Sequence, residues 1–156
     1  MKPFMALAAV FLAACAAQDA DMHSMHAGMT PLGPDTREVV RFPEPLKEHT
    51  LANMRDHLAT LQKIQDAMAR GAWDEASGLA EHRLGLSSLE AHGAHQVAPY
   101  MPPGMQEAGT SMHKAASRFA IEAANAGATG DAKPAIAALA TLTAQCVACH
   151  AAYRFQ

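Results

Sequence analysis

The chain has 156 residues; 50% are hydrophobic, 17% are charged and 5% are aromatic, and the formal net charge is -3 with neutral histidines. This near-balance of charge excludes a basic nucleic-acid-binding protein and a long acidic disordered tail. The length suits one domain, and 9 prolines and 10 glycines are too few for a low-complexity chain. Alanine is abundant whereas valine and isoleucine are scarce, which favours helix over strand.

The N-terminus has the pattern of an export signal. Lys2 is followed by an apolar run to residue 14, too short to span a bilayer but suited to a signal peptide. The run ends in Leu12-Ala13-Ala14-Cys15, which resembles a bacterial lipobox. The resemblance implies cleavage after residues 1–14 and a lipid on Cys15. We therefore expect a periplasmic protein whose N-terminal lipid is its only membrane contact; an ordinary signal peptide with an incidental cysteine is the alternative.

Residues 15–43 are predicted to form a flexible tether, because prolines and a glycine interrupt the segment after residue 30. Soft sulfur and nitrogen donors crowd its first half: Met22, His23, Met25, His26 and Met29. Thioethers combined with imidazole suit copper, especially Cu(I). Copper binding is one interpretation of this group. The other is a polar tether in which methionine and histidine are incidental.

A five-residue motif near the C-terminus carries the most specific chemistry. Residues 146–150 read Cys146-Val147-Ala148-Cys149-His150, and C-x-x-C-H is the attachment site of a c-type haem. On a helix both cysteines and the histidine project to one side. We therefore predict one covalent haem c, held by thioethers to Cys146 and Cys149, with His150 as the proximal iron ligand.

A redox dithiol, a zinc site and a structural disulfide fit the motif less well. A redox dithiol expects the motif near the start of a helix that follows a strand, whereas this one ends an alanine-rich helical stretch. A zinc site needs two more ligands nearby. A disulfide across C-x-x-C would constrain very little of the chain.

The remaining pattern predicts an all-α fold, an antiparallel four-helix bundle over residues 44–156. The helices are expected at 44–70, 72–92, 105–126 and from Asp131 onward, with Asp131 as a cap and Pro134 in the first turn. The inward stripe of the first helix is predicted as Leu51, Met54, Leu58, Leu61, Gln65 and Met68. That of the last helix is predicted as Ile136, Leu139, Thr143, Cys146, His150 and Tyr153.

A C-terminal C-x-x-C-H-x-x-Tyr-Arg, ending at Tyr153 and Arg154 on the last of four helices, resembles the class II cytochromes c, the cytochrome c′ and c-556 group. The loop at 101–104 resembles the Pro-Gly turn before the third helix of that family. The resemblance covers about residues 44–156. It implies an electron carrier rather than an enzyme, redox proteins as partners, and compatibility with a homodimer. It places Arg154 near a haem propionate; the alternative is an arginine that complements a helix dipole.

The residue that the first helix offers to the distal face of the iron divides that family by function. Methionine gives a six-coordinate iron suited to electron transfer, whereas leucine leaves a site open to nitric oxide or carbon monoxide. If Lys47-Glu48 is aligned with the family's Arg-Gln pair, Leu51 falls at this position. If the chain is aligned from the start of the helix, Met54 falls there instead. His57 is a third candidate ligand. As alternatives, Met54 is a core filler and His57 a partly buried, hydrogen-bonded side chain.

Three functional hypotheses follow: an electron carrier, a binder of nitric oxide or carbon monoxide, and a copper-handling haem lipoprotein. None of them needs a catalytic constellation, and the sequence shows none. The other histidines in the helical region have no ligand spacing and are expected at the surface or in loops: His49, His82, His92, His95 and His113.

Overall fold

The computed structural model describes residues 33–156, of which 37–156 form one compact unit. The predicted signal peptide, Cys15 and the Met/His group at 22–29 lie outside the described residues. The elements are β1 (Glu38–Val40), α1 (Glu44–Ala69), α2 (Trp73–Arg83), α3 (Ala94–Val97), α4 (Pro103–Thr129), α5 (Lys133–Ala152) and β2 (Tyr153–Phe155). Short 3-10 turns occupy Leu86–Ser88 and Ala98–Tyr100. The prediction of an all-α chain is confirmed.

Proline and glycine set the ends of the long helices. α1 follows Pro43 and ends before Gly71, whose φ of 71° is readily adopted only by glycine. α4 ends before Gly130, with φ of 78°. At the start of α5 the backbone N–H of Lys133 donates to Oδ1 of Asp131 over 3.0 Å, as the sequence predicts for a capping aspartate.

The prediction of a second helix over 72–92 is wrong in its second half, because α2 ends at Arg83. A methyl group at Gly85 would lie 2.7 Å from the backbone carbonyl of Glu81. The chain turns here, and hydrogen bonds that involve side chains replace the backbone hydrogen bonds of the helix. Nδ1 of His113 donates to the Leu84 carbonyl over 2.7 Å, and the Ser87 backbone N–H donates to the Glu81 carboxylate.

The two strands tie the ends of this unit together. β1 and β2 are parallel, with Val39 opposite Arg154 and Val40 opposite Phe155. The sequence predicts residues 38–40 as part of the tether, since three-residue strands have no periodicity to detect. The pairing brings the segment before α1 beside the segment after α5.

The core rests largely on small side chains. Phe119, Ile64, Leu84 and Leu142 are its large buried members, and alanines supply most of the remainder. α1 packs on α2, α2 on α4 and α4 on α5, whereas α1 and α5 are not closely packed against each other. Alanine faces let helix backbones approach, and they determine which side of each helix is buried.

The predicted inward stripes of α1 and α5 are confirmed only in part, because Leu61, Met68 and Leu139 pack against the core whereas other members of the stripes are exposed. On α1 the buried residues are Thr50, Thr60, Ile64 and Ala67, while Leu58 is 71% exposed. On α5 they are Ala135 and Leu142, while Ile136 is 56% exposed, Val147 is 64% exposed, and Thr143 and His150 are also exposed. Leu51, Met54, Leu61, Met68, Leu139, Cys146 and Tyr153 are partly buried. Both helices present larger apolar groups outward.

This exposure gives α5 an unusual surface. Within residues 33–156 it is the one helix that is long and apolar enough to cross a membrane, on length and composition alone. From the sequence, no such stretch is expected after the signal peptide. α5 meets the length and composition criterion because it is rich in alanine and has a single charged residue, Lys133.

Candidate functional site

The C-x-x-C-H motif lies in the last two turns of α5, so both cysteines and His150 share one helix. Cys146 and Cys149 are partly buried and neither is in a disulfide. His150 is exposed. The spacings of three and four residues place the three side chains on one side of the helix. The two thiols and the imidazole are thus available on a common surface.

Burial raises the pKa of both thiols, and for Cys149 the neighbouring Cys146 adds to the effect. The motif also lies at the C-terminal end of its helix, where the dipole disfavours an anion. Both sulfurs are therefore protonated thiols at neutral pH. A nucleophilic redox dithiol needs the opposite environment.

Cys149 packs against a second apolar cluster at this end of the molecule. The buried members of the cluster are Val40, Phe42, Val97 and Met105, and its partly buried members are Leu46, Met101, Tyr153 and Phe155. The rings of Phe42 and Phe155 are centred 5.0 Å apart. Since Leu46 belongs to the first turn of α1, the beginning of α1 and the motif share one apolar environment.

The first turn of α4 contributes to the same end. A methyl group at Gly104 would collide with the hydroxyl of Tyr153. Gly104 therefore leaves room for the tyrosine hydroxyl, which a larger residue would have to displace.

Two arginines lie beside the motif. The Arg37 guanidinium donates to the backbone carbonyl of His150 over 3.3 Å. Arg154 is partly buried in β2, opposite Val39 of β1. The predicted propionate contact of Arg154 remains a prediction.

Two of the three candidates for the distal iron face follow Leu46 on α1. Leu51 and Met54 are both partly buried and lie about 8 Å and 12 Å further along the helix axis. Neither is among the buried residues of α1, which are Thr50, Thr60, Ile64 and Ala67. This placement leaves both as candidates.

His57 has different neighbours. Its ring centroid lies 4.7 Å from that of His92 and 6.3 Å from that of His113, and the latter two are 5.4 Å apart. His113 is 8% exposed and His92 is partly buried, so the prediction of surface or loop positions is wrong for them. It holds for His49, His82 and His95, which are exposed. The three clustered residues lie on separate elements, so no spacing in the sequence reveals them.

Burial and repulsion between the rings lower the pKa of two members of this cluster, His57 and His92. Burial is the main cause that lowers the pKa of His57 to about 4, and the neighbouring His92 and His113 lower it further. Burial, followed by His113, also lowers the pKa of His92. Nε2 of His57 is buried and has no hydrogen-bond partner, contrary to the expectation of a hydrogen-bonded side chain. Close by, the hydrogen bond from Arg83 lowers the pKa of Asp56.

No protein-family model matches this chain, and neither a curated protein nor a solved structure matches it.

Acid should destabilise the protein through His57. Its folded-state pKa of about 4 lies below the ordinary 6.5, so the unfolded chain takes up the proton first as pH falls. At about 1.4 kcal/mol per pKa unit, the free energy of unfolding should fall by about 2–3 kcal/mol between pH 6.5 and 4.5. Urea unfolding across this range measures the loss.

The matched comparison is His57→Gln with His95→Gln, because His95 is exposed and outside the cluster. His57→Gln should lose much less stability on acidification than the unsubstituted protein. His95→Gln should lose as much stability as the unsubstituted protein. An equally steep fall in His57→Gln would show that another group is responsible.

Proposed function

We propose that this chain is a periplasmic c-type haem protein that carries single electrons, with haem bound to Cys146 and Cys149 and ligated by His150. The observation that carries the proposal is the intact C-x-x-C-H motif at the end of α5, beside apolar surface that the core does not use. We also propose that α1, α2, α4 and α5 are an antiparallel four-helix bundle of the class II cytochrome c kind.

The residues present fit covalent attachment. Each thiol can add across a vinyl group, with the sulfur bonding to one carbon and the hydrogen to the other, so no oxidant is needed. Neither thiol is engaged in a disulfide, and burial keeps both protonated. The bound group would supply an iron that cycles between the ferric and ferrous states. His150 would be the proximal ligand of that iron.

The uncovered apolar surface supports a planar hydrophobic ligand. Leu58 on α1 and Val147 on α5 are exposed, and their two helices are not closely packed against each other. Apolar burial contributes roughly 25 cal/mol per Å². A macrocycle placed between α1 and α5 would cover these side chains and complete the core.

A redox dithiol and a membrane-inserted α5 account less well for the same features. The dithiol is disfavoured by the raised thiol pKa values and by the C-terminal helix position. Insertion of α5 into a membrane would separate Ala135 and Leu142, which are fully buried, from their packing partners.

The alternative function within the same fold is a binder of nitric oxide or carbon monoxide. It is favoured by Leu51, which is partly buried and lies closer than Met54 to the cluster that contains Cys149. An iron facing Leu51 would keep an open position. His57 is the least favoured sixth ligand, because its ring packs with two other histidines.

The remaining features of the proposal concern location and partners. Cys15 would anchor the chain to a membrane by its lipid, and redox proteins would be its partners. Copper handling by Met22, His23, Met25, His26 and Met29 is a further proposal on residues outside the described part of the chain. A homodimer through α1 and α2 would be compatible with the family resemblance.

Replacing both motif cysteines should abolish covalent haem. The double variant Cys146→Ala/Cys149→Ala removes both thioether sulfurs. When this variant is isolated from the periplasm, denatured and treated with pyridine, it should show no absorbance from a haem–pyridine complex. Ala148→Ser, at the exposed position between them, is the matched control and should retain one haem per chain. Haem that stays with the denatured double variant would refute the assignment.

The ferrous visible spectrum with and without carbon monoxide should distinguish the two functions. An electron carrier ligated by Met54 predicts sharp bands that carbon monoxide does not alter, and Met54→Ala should convert them to a broad high-spin spectrum. Leu51→Ala is the control on the same face and should stay six-coordinate. A high-spin spectrum that shifts with carbon monoxide before any substitution would instead support the gas-binding function.

A further inference from the structure

Three imidazole rings from three separate elements converge away from the C-x-x-C-H motif. His57 comes from α1, His92 from the segment before α3, and His113 from α4. Their ring centroids are 4.7, 5.4 and 6.3 Å apart. Haem attachment, electron transfer and gas binding do not use the three residues together.

One of these separations, 5.4 Å, is that of imidazoles that share a metal ion, and the other two, 4.7 and 6.3 Å, lie on either side of it. With metal–nitrogen bonds of about 2.0–2.1 Å and tetrahedral or trigonal angles, three ring centroids lie roughly 5–5.5 Å apart. No group of three or more His, Cys, Asp or Glu side chains within residues 33–156 is arranged to hold a metal ion as it stands. Because hydrogen bonds hold the rings of His92 and His113, we expect the ring of His57 to rotate on binding and to shorten its 6.3 Å separation from His113.

Hydrogen bonds already select the nitrogen that each of two rings offers. Nδ1 of His113 donates to the Leu84 carbonyl over 2.7 Å. Ser88 donates its own hydrogen to the Gly85 carbonyl over 2.7 Å, so its Oγ accepts from Nδ1 of His92 at 3.3 Å. Both Nε2 atoms therefore carry a free lone pair, and backbone or hydroxyl partners orient metal-binding histidines in this way.

The ring of His57 gives independent evidence that a ligand is missing. Nε2 of His57 is buried and has no hydrogen-bond partner. A buried polar atom without a partner destabilises the fold, and a bound ion would supply the missing partner.

The backbone that carries His92 is held firmly. Asn53 of α1 donates from Nδ2 to the His92 carbonyl over 3.1 Å, and the following Gly93 has a φ of 64°. His92 is therefore fixed against α1, the helix that also carries His57.

We propose that His57, His92 and His113 form a binding site for a divalent transition-metal ion, Zn²⁺ or Cu²⁺, with a fourth position left for water. Three imidazole nitrogens suit these ions and do not suit Mg²⁺ or Ca²⁺, which require oxygen ligands. The Asp56 carboxylate acts electrostatically on both His57 and His92, and so offsets part of the added charge. The site does not depend on haem attachment.

Zinc titration of the mature chain, as isolated from the periplasm and stripped with a chelator, tests the site. His23→Gln and His26→Gln are introduced first to remove the tether histidines. Competition with a chromophoric chelator should then show one Zn²⁺ per chain. His57→Gln and His92→Gln should each weaken binding at least about 100-fold, since loss of an outer-sphere partner alone weakens binding 10–100-fold. His82→Gln and His95→Gln, both at exposed positions, should leave the affinity unchanged.

X-ray absorption at the zinc edge of the parent protein gives a measurement that needs no cluster variant to fold. It should show imidazole nitrogens at about 2.0–2.1 Å. The proposal is overturned if no stoichiometric zinc binds, if the zinc shell lacks imidazole, or if folded His57→Gln and His92→Gln bind zinc as tightly as the parent.

Discussion

The structure depends on how closely alanine faces let its helices approach. α4 contributes Ala116, Ala120, Ala123 and Ala126 to the core, and α5 contributes Ala135. Tight contact through small side chains fixes the rotation of each helix about its axis. It buries the side of α5 that carries Ala135 and Leu142 and the Thr/Ile/Ala side of α1, and it leaves other large apolar groups on the outside. The exposed surface is thus a consequence of the packing that stabilises the core.

This exposed apolar surface supports the proposal that the C-x-x-C-H motif attaches a haem. Leu58 is exposed on α1, and Ile136 and Val147 are exposed on α5. These two helices are not closely packed against each other, while β1–β2 pairing holds the beginning of one near the end of the other. A soluble domain ordinarily avoids such exposure, and a hydrophobic cofactor held by two thioethers would cover it. In this account haem is part of the core as well as the redox centre.

The sequence allowed the motif and the long helices to be predicted, because proline, glycine and a capping aspartate mark their ends. It did not allow the buried faces to be predicted, since hydropathy ranks leucine above alanine whereas the packing here selects alanine. The break after Arg83 escaped prediction because the carbonyl of Leu84 is satisfied by His113, a residue distant in sequence. For the same reason the three-histidine cluster was invisible: its members come from α1, α4 and an intervening turn. Three-residue strands are too short for any periodic signal.

Amide hydrogen exchange of haem-loaded protein, compared with the haem-free Cys146→Ala/Cys149→Ala chain, tests most directly whether a cofactor completes the core between α1 and α5. The account predicts that haem slows exchange in residues 51–58 and 143–150, while the buried α2–α4 interface around Phe119 changes little. Equal exchange in these two segments with and without haem would contradict the account, because haem would then not cover their apolar side chains.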